Sequence, residues 1–305
     1  MSAVATVRAT PGLDAYLDVL ESRLADAVSA RPGIVTEASA ELVAAGGKRL
    51  RPVLVFLSTP PRRRGDARTV AAGVAVELVH VATLVHDDVL DGARTRRGEA
   101  TVWARHGEAV ARAVGDYLFA RAFSELAATR DAEAVSVLAR ATLSLARGEA
   151  VQRGHAFRPE TSIDEYLARC TLKTGKLFEA ACLLGAGSRL APFGRALGIA
   201  FQIADDILDC TGDADETGKD PGVDLRDGTP TLPLILAARE DQGIWRALAG
   251  EDVPDALDRV AASGALEKAR AVALEYAARA RAALDGEPDR ESLEALTYAV
   301  VERRG

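Results

Sequence analysis

The sequence predicts an all-α fold, and three observations carry that reading. Alanine is abundant in long segments of helical periodicity, and Gly and Pro gather in short clusters between those segments. The alternating β-branched pattern of strands is scarce. A first amphipathic helix is expected from about Leu13 to Ala30, stopped by Arg31-Pro32-Gly33, and a second from Ile34 to Ala45. Gly46-Gly47 breaks the second, and the apolar run Val53 to Leu57 follows. Pro60, Pro61 and the triplet Arg62-Arg63-Arg64 read as an exposed loop with a solvated charge run. The central helix should cover Ala67 to Asp91, on the order of 35 Å at the helical rise per residue. A short turn at Val102 to Arg105 comes next. Helices are then expected at Ala109–Thr129, Asp131–Ala156, Ile163–Leu184, Phe193–Asp209 and Leu232–Arg239, with four shorter ones to the C-terminus. No composition shift marks a boundary and no solenoid period appears, so residues 1–305 read as a single domain, a helix bundle around a deep central cavity.

Composition narrows the function classes. The 305 residues are 48% hydrophobic and 27% charged, which is the balance of a folded chain with ample core. A net charge of −7 argues against a nucleic-acid partner bound through a broad basic surface. Cys170, Cys182 and Cys210 are odd in number and sit in or at the ends of helical runs, as reduced core residues of a cytoplasmic protein would. The N-terminal segment lacks the apolar stretch of a signal peptide, and no uninterrupted apolar run reaches membrane-spanning length, so no transmembrane segment is expected.

The chemistry concentrates at Glu77 to Gly98, ELVHVATLVHDDVLDGARTRRG. Its apolar half is too continuous for a surface helix. Asp87 and Asp91 lie one turn apart on one face with Asp88 beside the first. Like charges at that spacing repel, so the helix end is suited to holding a cation. A few hard oxygen ligands with open positions fit Mg²⁺ shared with a phosphate. Arg94, Arg96 and Arg97 add fixed positive charge, and the set describes a diphosphate site. The chain repeats the device: FQIADDILD brings Asp205, Asp206 and Asp209 to the end of another apolar run. One such end could be a solvated helix terminus, whereas two in the same pattern are hard to explain as surface decoration.

Other stretches carry weaker signals. Gly46-Gly47-Lys48-Arg49-Leu50-Arg51-Pro52 is not a P-loop, because Leu42 and Arg49 stand where Gly and Ser or Thr are required. Its glycines, Lys48 and Arg51 could still surround a phosphate, or simply stop a helix. His80 lies two turns before Asp87 on the same face, where a core histidine is the bland alternative, and His86 points elsewhere by helical phase. Lys173-Thr174-Gly175 interrupts a helix, Gln202 precedes the second acidic set by a turn, and Glu149 with Gln152 could form a polar pair. The acidic, Gly-rich loop from Thr211 to Pro230 contains Asp213, Asp215, Thr217 and Gly218, an EF-hand-like start that Pro221 and Asp224 argue against. It reads as a lid bringing Lys219 over phosphate.

Together these segments resemble the trans-isoprenyl diphosphate synthase family over nearly the whole chain. GGKRLRP, HDDVLD followed by RRG, GDYLFARAF from Gly115 to Phe123, KTG, and FQIADDILD followed by GKDPGVDL stand in that family's order and spacing. The resemblance implies an all-α bundle, commonly a homodimer, that joins isopentenyl diphosphate head-to-tail to an allylic diphosphate. It implies Mg²⁺ and the allylic diphosphate at Asp87, Asp88 and Asp91, and a further Mg²⁺ at Asp205, Asp206 and Asp209. It implies isopentenyl diphosphate at Lys48, Arg51, His80 and Arg97, and allylic contacts at Arg96, Lys173, Thr174 and Gln202. The family often has a lysine where this chain has Thr229, so leaving-group activation would rest more on Lys173 and Lys219.

Product length would follow from how far the cavity runs beyond the first aspartates. Ala82 and Thr83, the small residues before Asp87, imply a long-chain product, hexaprenyl to decaprenyl, with Tyr117 and Phe119 as an alternative floor. The competing readings are a short-chain farnesyl or geranylgeranyl diphosphate synthase, a class I terpene cyclase, and a non-catalytic prenyl-diphosphate-binding subunit. A cyclase would mix Asn, Ser and Glu into its second metal motif, and a non-catalytic subunit would be expected to lose one aspartate set; here both are intact.

Overall fold

The computed structural model describes residues 2–29, 32–96, 98–211, 221–287 and 290–301. The elements in order are α1 (Ala3–Arg8), α2 (Leu13–Val28), α3 (Ile34–Ala44), α4 (Leu50–Ser58), α5 (Ala67–Leu90), β1 (Thr95–Arg96), β2 (Glu99–Ala100), α6 (Val102–His106), α7 (Glu108–Ala128) and α8 (Ala132–His155). There follow α9 (Ile163–Cys170), a π-helical turn (Thr171–Gly175), α10 (Lys176–Ala186), α11 (Ala191–Thr211), α12 (Val223–Arg226), α13 (Leu232–Ala238), α14 (Gln242–Leu248), α15 (Ala256–Ala262), α16 (Ala265–Ala282) and α17 (Arg290–Val301). The all-α expectation holds, with one short antiparallel hairpin that the sequence did not signal, pairing Thr95 with Ala100 and Arg96 with Glu99. The chain forms two compact units. One comprises Met1–Thr142, Leu177–Ala191 and Glu287–Ala295; the other comprises Leu143–Lys176, Pro192–Gly286 and Leu296–Gly305.

In the first unit α5 is the central element. Its many valines are mediocre helix formers, so burial and not propensity stabilises it. Val74, Val76, Leu78 and Val79 are fully buried, each contributing about 1.5–3 kcal/mol relative to exposure. By length and composition α5 alone, among the described residues, could cross a membrane, contrary to the expectation that no segment would pass; 78% of its apolar window is buried inside the protein. It packs chiefly on α7 and α4. Gly73 leaves room for the Tyr16 hydroxyl from α2, since a Cβ there would lie 2.0 Å from that oxygen. The helix ends in a Schellman motif: Gly92 adopts φ +63°, Gly92 N–H donates to Val89 at 3.4 Å and Ala93 N–H to Asp88 at 2.9 Å. That stop puts the aspartates in and just past the last turn.

The Arg62–Arg64 run corrects the sequence reading. Arg62 is exposed, but Arg64 is 6% exposed. Its Nε donates to the Phe56 and Thr59 carbonyls at 3.1 Å and its Nη2 to Leu57 at 3.2 Å, closing the end of α4. The guanidinium also covers the Phe56 ring at 4.7 Å.

In the second unit a capping box starts α9, with the Ser162 hydroxyl accepting from Glu165 N–H at 3.2 Å and Glu165 accepting from Ser162 N–H at 2.8 Å. The expected long helix from Ile163 is thus three pieces, α9, the π turn and α10. Gly148 on α8 explains how the π turn packs: a Cβ there would sit 2.6 Å from the Lys173 backbone nitrogen. At the end of α11, Cys210 enters a cluster of Leu234, Ala237, Ile244, Leu248 and Val260, which anchors the second acidic end. All three cysteines are buried thiols, as expected.

Candidate active site

At the first acidic end the three aspartates differ in environment. Asp87 is half-buried, Asp91 is exposed, and Asp88 is 5% exposed. Arg96, presented by the hairpin, donates from Nε to Asp88 Oδ1 at 2.7 Å and places Nη2 at 2.7 Å from the same oxygen. The buried charge of Asp88 is therefore compensated within the unit. Arg94 turns aside to cover the Trp103 ring at 5.5 Å. Arg97 lies outside the described residues.

The glycine-pair segment separates its cations. Lys48 is exposed, and Arg51 is buried with its guanidinium over the Phe178 ring at 5.0 Å. Between them Arg49, which the sequence reading passed over, is 6% exposed with a left-handed φ of 46°. It reaches Glu21 at 2.7 Å, Glu77 at 3.0 Å and the Val43 carbonyl at 2.9 Å. Burial acts to lower the Arg49 pKa, but Glu21 and Glu77 hold it above its ordinary value. Arg49 ties the segment to α2, α3 and α5 through these partners.

His80 is half-buried, and its carbonyl accepts the Thr83 hydroxyl at 2.7 Å. Ala82 is fully buried, whereas Thr83 is half-buried. Tyr117 and Phe119 lie on different faces of α7: the Tyr117 hydroxyl reaches the Ala27 carbonyl at 3.5 Å, and Phe119 tilts against His86 at 5.6 Å between ring centres. His86 packs over Gly115, where a Cβ would meet its ring at 2.1 Å, and this accounts for the glycine opening GDYLFARAF.

The second acidic end repeats the division of labour. Asp205 is exposed and Asp206 is 4% exposed. Tyr166 donates to Asp206 Oδ2 at 2.6 Å and Gln202 to Oδ1 at 2.7 Å, while the Thr174 hydroxyl donates to Gln202 at 2.5 Å. Burial raises the Asp206 carboxyl above its ordinary range, with Tyr166, Gln202 and the Arg169 charge acting against that rise. Asp209 accepts Val223 N–H on one oxygen at 3.2 Å and Asp224 N–H on the other at 3.1 Å, and so pins the returning chain to the end of α11. Lys173 pairs with Glu149 at 2.5 Å, and Arg153 joins from 2.9 Å. Burial would raise the Glu149 carboxyl, but Lys173 and Arg153 hold it below its usual value. Glu149 therefore orients Lys173, and its hydrogen-bond partners are Lys173 and Arg153 and not Gln152, one of the two readings left open for it. Thr229 is buried, and its N–H donates to the Asp224 carbonyl at 2.7 Å. Lys219 and the EF-hand-like stretch fall in 212–220, outside the described residues.

The sequence model of the polyprenyl synthetase family matches residues 32–262. The chain belongs to the polyprenyl synthetase family. It is accordingly a trans-prenyltransferase. The nonaprenyl diphosphate synthase of Mycobacterium tuberculosis is 40% identical over 294 residues, covering 89% of this chain and 88% of that protein. Component 2 of the heptaprenyl diphosphate synthase of Geobacillus stearothermophilus is 37% identical over 292 residues, 90% of this chain and 91% of the relative. A polyprenyl synthase from Caulobacter crescentus, solved in complex with calcium and isoprenyl diphosphate, superposes with a TM-score of 0.91 at 36% identity, covering 100% of this chain and 98% of that one. Among the described residues no group of three or more His, Cys, Asp or Glu side chains gathers around one point.

Proposed function

We propose that this polyprenyl synthetase condenses isopentenyl diphosphate head-to-tail with an allylic diphosphate to give a long all-trans polyprenyl diphosphate, hexaprenyl to decaprenyl. The observation that carries the reading is the pair of Asp-Asp-x-x-Asp helix ends, each with its middle carboxylate buried and compensated and its first carboxylate more exposed. That donor set fits Mg²⁺, which takes one or two protein carboxylates and leaves its other positions to water and phosphate. Asp87 and Asp91 would hold Mg²⁺ on the allylic diphosphate, and Asp205 a further ion, with Asp88, Asp206 and Asp209 shaping the helix ends. Bound Mg²⁺ supplies Lewis-acid stabilisation of the diphosphate as it leaves.

The chain's own groups do the rest. Lys173, oriented by Glu149, and Arg96 add positive charge to the departing diphosphate, and Thr174 and Gln202 complete its polar contacts. Lys48, Arg51, His80 and, by resemblance, Arg97 would hold isopentenyl diphosphate, with Lys219 assisting the leaving group. Apolar surroundings keep water from the allylic cation until the isopentenyl double bond attacks, and the released diphosphate takes the proton.

The buried reduced cysteines support a cytoplasmic setting, and a homodimer is the assembly that the resemblance implies. The name of the Geobacillus relative as one component of its synthase favours a second reading, in which a second protein completes the enzyme. Incubation with labelled isopentenyl diphosphate, each allylic primer in turn and Mg²⁺ tests the proposal. Long-chain products from the purified chain support it, products that stop at farnesyl or geranylgeranyl length overturn the long-chain part, and inactivity relieved only by a partner protein supports the second reading.

A further inference from the structure

The turn that follows the second acidic end carries the uncharged Thr229, and the fold places a cation beside it. Arg169 on α9 is 3% exposed. Its Nη2 donates to the carbonyl of Pro230, the residue after Thr229, at 2.8 Å. Its guanidinium carbon lies 5.3 Å from the centre of the Tyr166 ring, and the Tyr166 hydroxyl donates to Asp206. One helical turn thus carries both the hydrogen-bond donor to Asp206 and this buried cation. Arg169 makes no ion pair with a carboxylate among the described residues, and its buried Nη1 has no hydrogen-bond partner there.

A purely structural arginine uses its donors on carbonyls, as Arg64 does with Phe56, Leu57 and Thr59. Arg169 keeps one buried donor unspent, and its charge bears on the second acidic end without being consumed in an ion pair there. Buried unpaired cations are retained where an anion is to be met.

We propose that Arg169 is a positioning residue of the second acidic end, supplying from α9 the fixed positive charge that Thr229 cannot, and steadying the Thr229–Pro230 turn so that Mg²⁺-diphosphate binds beside Asp205 and Asp206. The inference rests on the prenyl diphosphate synthase reading, but its test does not require turnover. Binding of inorganic pyrophosphate in the presence of Mg²⁺ is measured by calorimetry for the full-length chain and for R169Q, R169K, T229K and R169Q/T229K, with thermal melting to confirm folding. R169Q should weaken pyrophosphate binding by about tenfold or more, R169K should restore most of it, and T229K should recover a substantial share in the R169Q background. In turnover, R169Q should raise the KM for the allylic diphosphate while leaving that for isopentenyl diphosphate within about twofold. Folded R169Q that binds pyrophosphate within about twofold of the parent overturns the proposal, as does a folded double variant with no recovery. Should R169Q not fold, T229K alone decides: a change within about twofold supports Arg169 as the acting charge, and tightening of about tenfold overturns it. A parent chain that binds Mg²⁺-pyrophosphate but forms no prenyl product refutes the functional reading and leaves Arg169 to be judged on binding.

Discussion

Asp88 and Asp206 occupy the same place in their motifs and are the two carboxylates least available to a ligand. Asp88 is held by Arg96 and Asp206 by Tyr166 and Gln202, whereas Asp87 and Asp205 are more exposed. Asp87→Asn should therefore lower kcat by about 10²–10³-fold with little change in melting temperature. Asp88→Asn should also destabilise the chain, by about 1–3 kcal/mol, because Arg96 loses its partner; denaturant unfolding of the pair separates the two roles. Arg49 makes a sharper case. Replacing it with Met leaves Glu77 buried without its cation and should cost about 3–5 kcal/mol, part of which Glu77→Leu in the same chain should return. None of this was legible at Arg49 in the sequence, where it stands between Lys48 and Arg51 as one more base. Its left-handed backbone and its partners Glu21 and Glu77 are long-range facts. Arg64 hid in the same way inside a run that reads as solvated charge.

At the scale of elements, what the sequence disclosed was periodicity and punctuation. The acidic ends of α5 and α11 and the interruption at Lys173-Thr174-Gly175 were all legible, because they are local patterns. The kind of interruption was not, since a π turn depends on what packs against it. Gly92 was available to a reader of helix stops and decides where the first aspartates sit. Gly92→Ala should cost about 1 kcal/mol and lower activity more than stability, as measured by kcat against unfolding midpoint. A second element tests an electrostatic cap. Asp241 accepts Gly243 N–H at 2.7 Å at the start of α14 and pairs with Arg259 at 2.6 Å. The Arg259 hydrogen bond, with those backbone donors, holds the Asp241 carboxyl below its ordinary range. Its contribution to stability is thus full above the ordinary carboxylate value and is lost as pH falls through the depressed folded value. Melting curves of Asp241→Asn against pH should show a flatter acid limb than the parent.

For the molecule as a whole, product length is the property most open to engineering. Ala82 is fully buried, so Ala82→Phe should overpack the unit and cost about 1–3 kcal/mol, confounding any change in product. Thr83 retains exposed surface, and Thr83→Phe should shorten the products while leaving stability near that of the parent. A product ladder unchanged by a folded Thr83→Phe variant would remove that position from the chain-length determinants. The fold class and family were legible in the sequence because the motifs span most of the chain. Which of the two small residues keeps exposed surface was not, because burial is set by neighbours that are distant in sequence.

Gly148 sets how near the π turn can come to α8. One missing methyl lets the backbone of Lys173 come to rest on α8, next door to the carboxylate of Glu149 that aims its ammonium group. Any side chain at 148 would push lysine and glutamate out of register together. Under the role proposed for Lys173, adding a single carbon there should lower turnover while every charged group and the helical content stay in place.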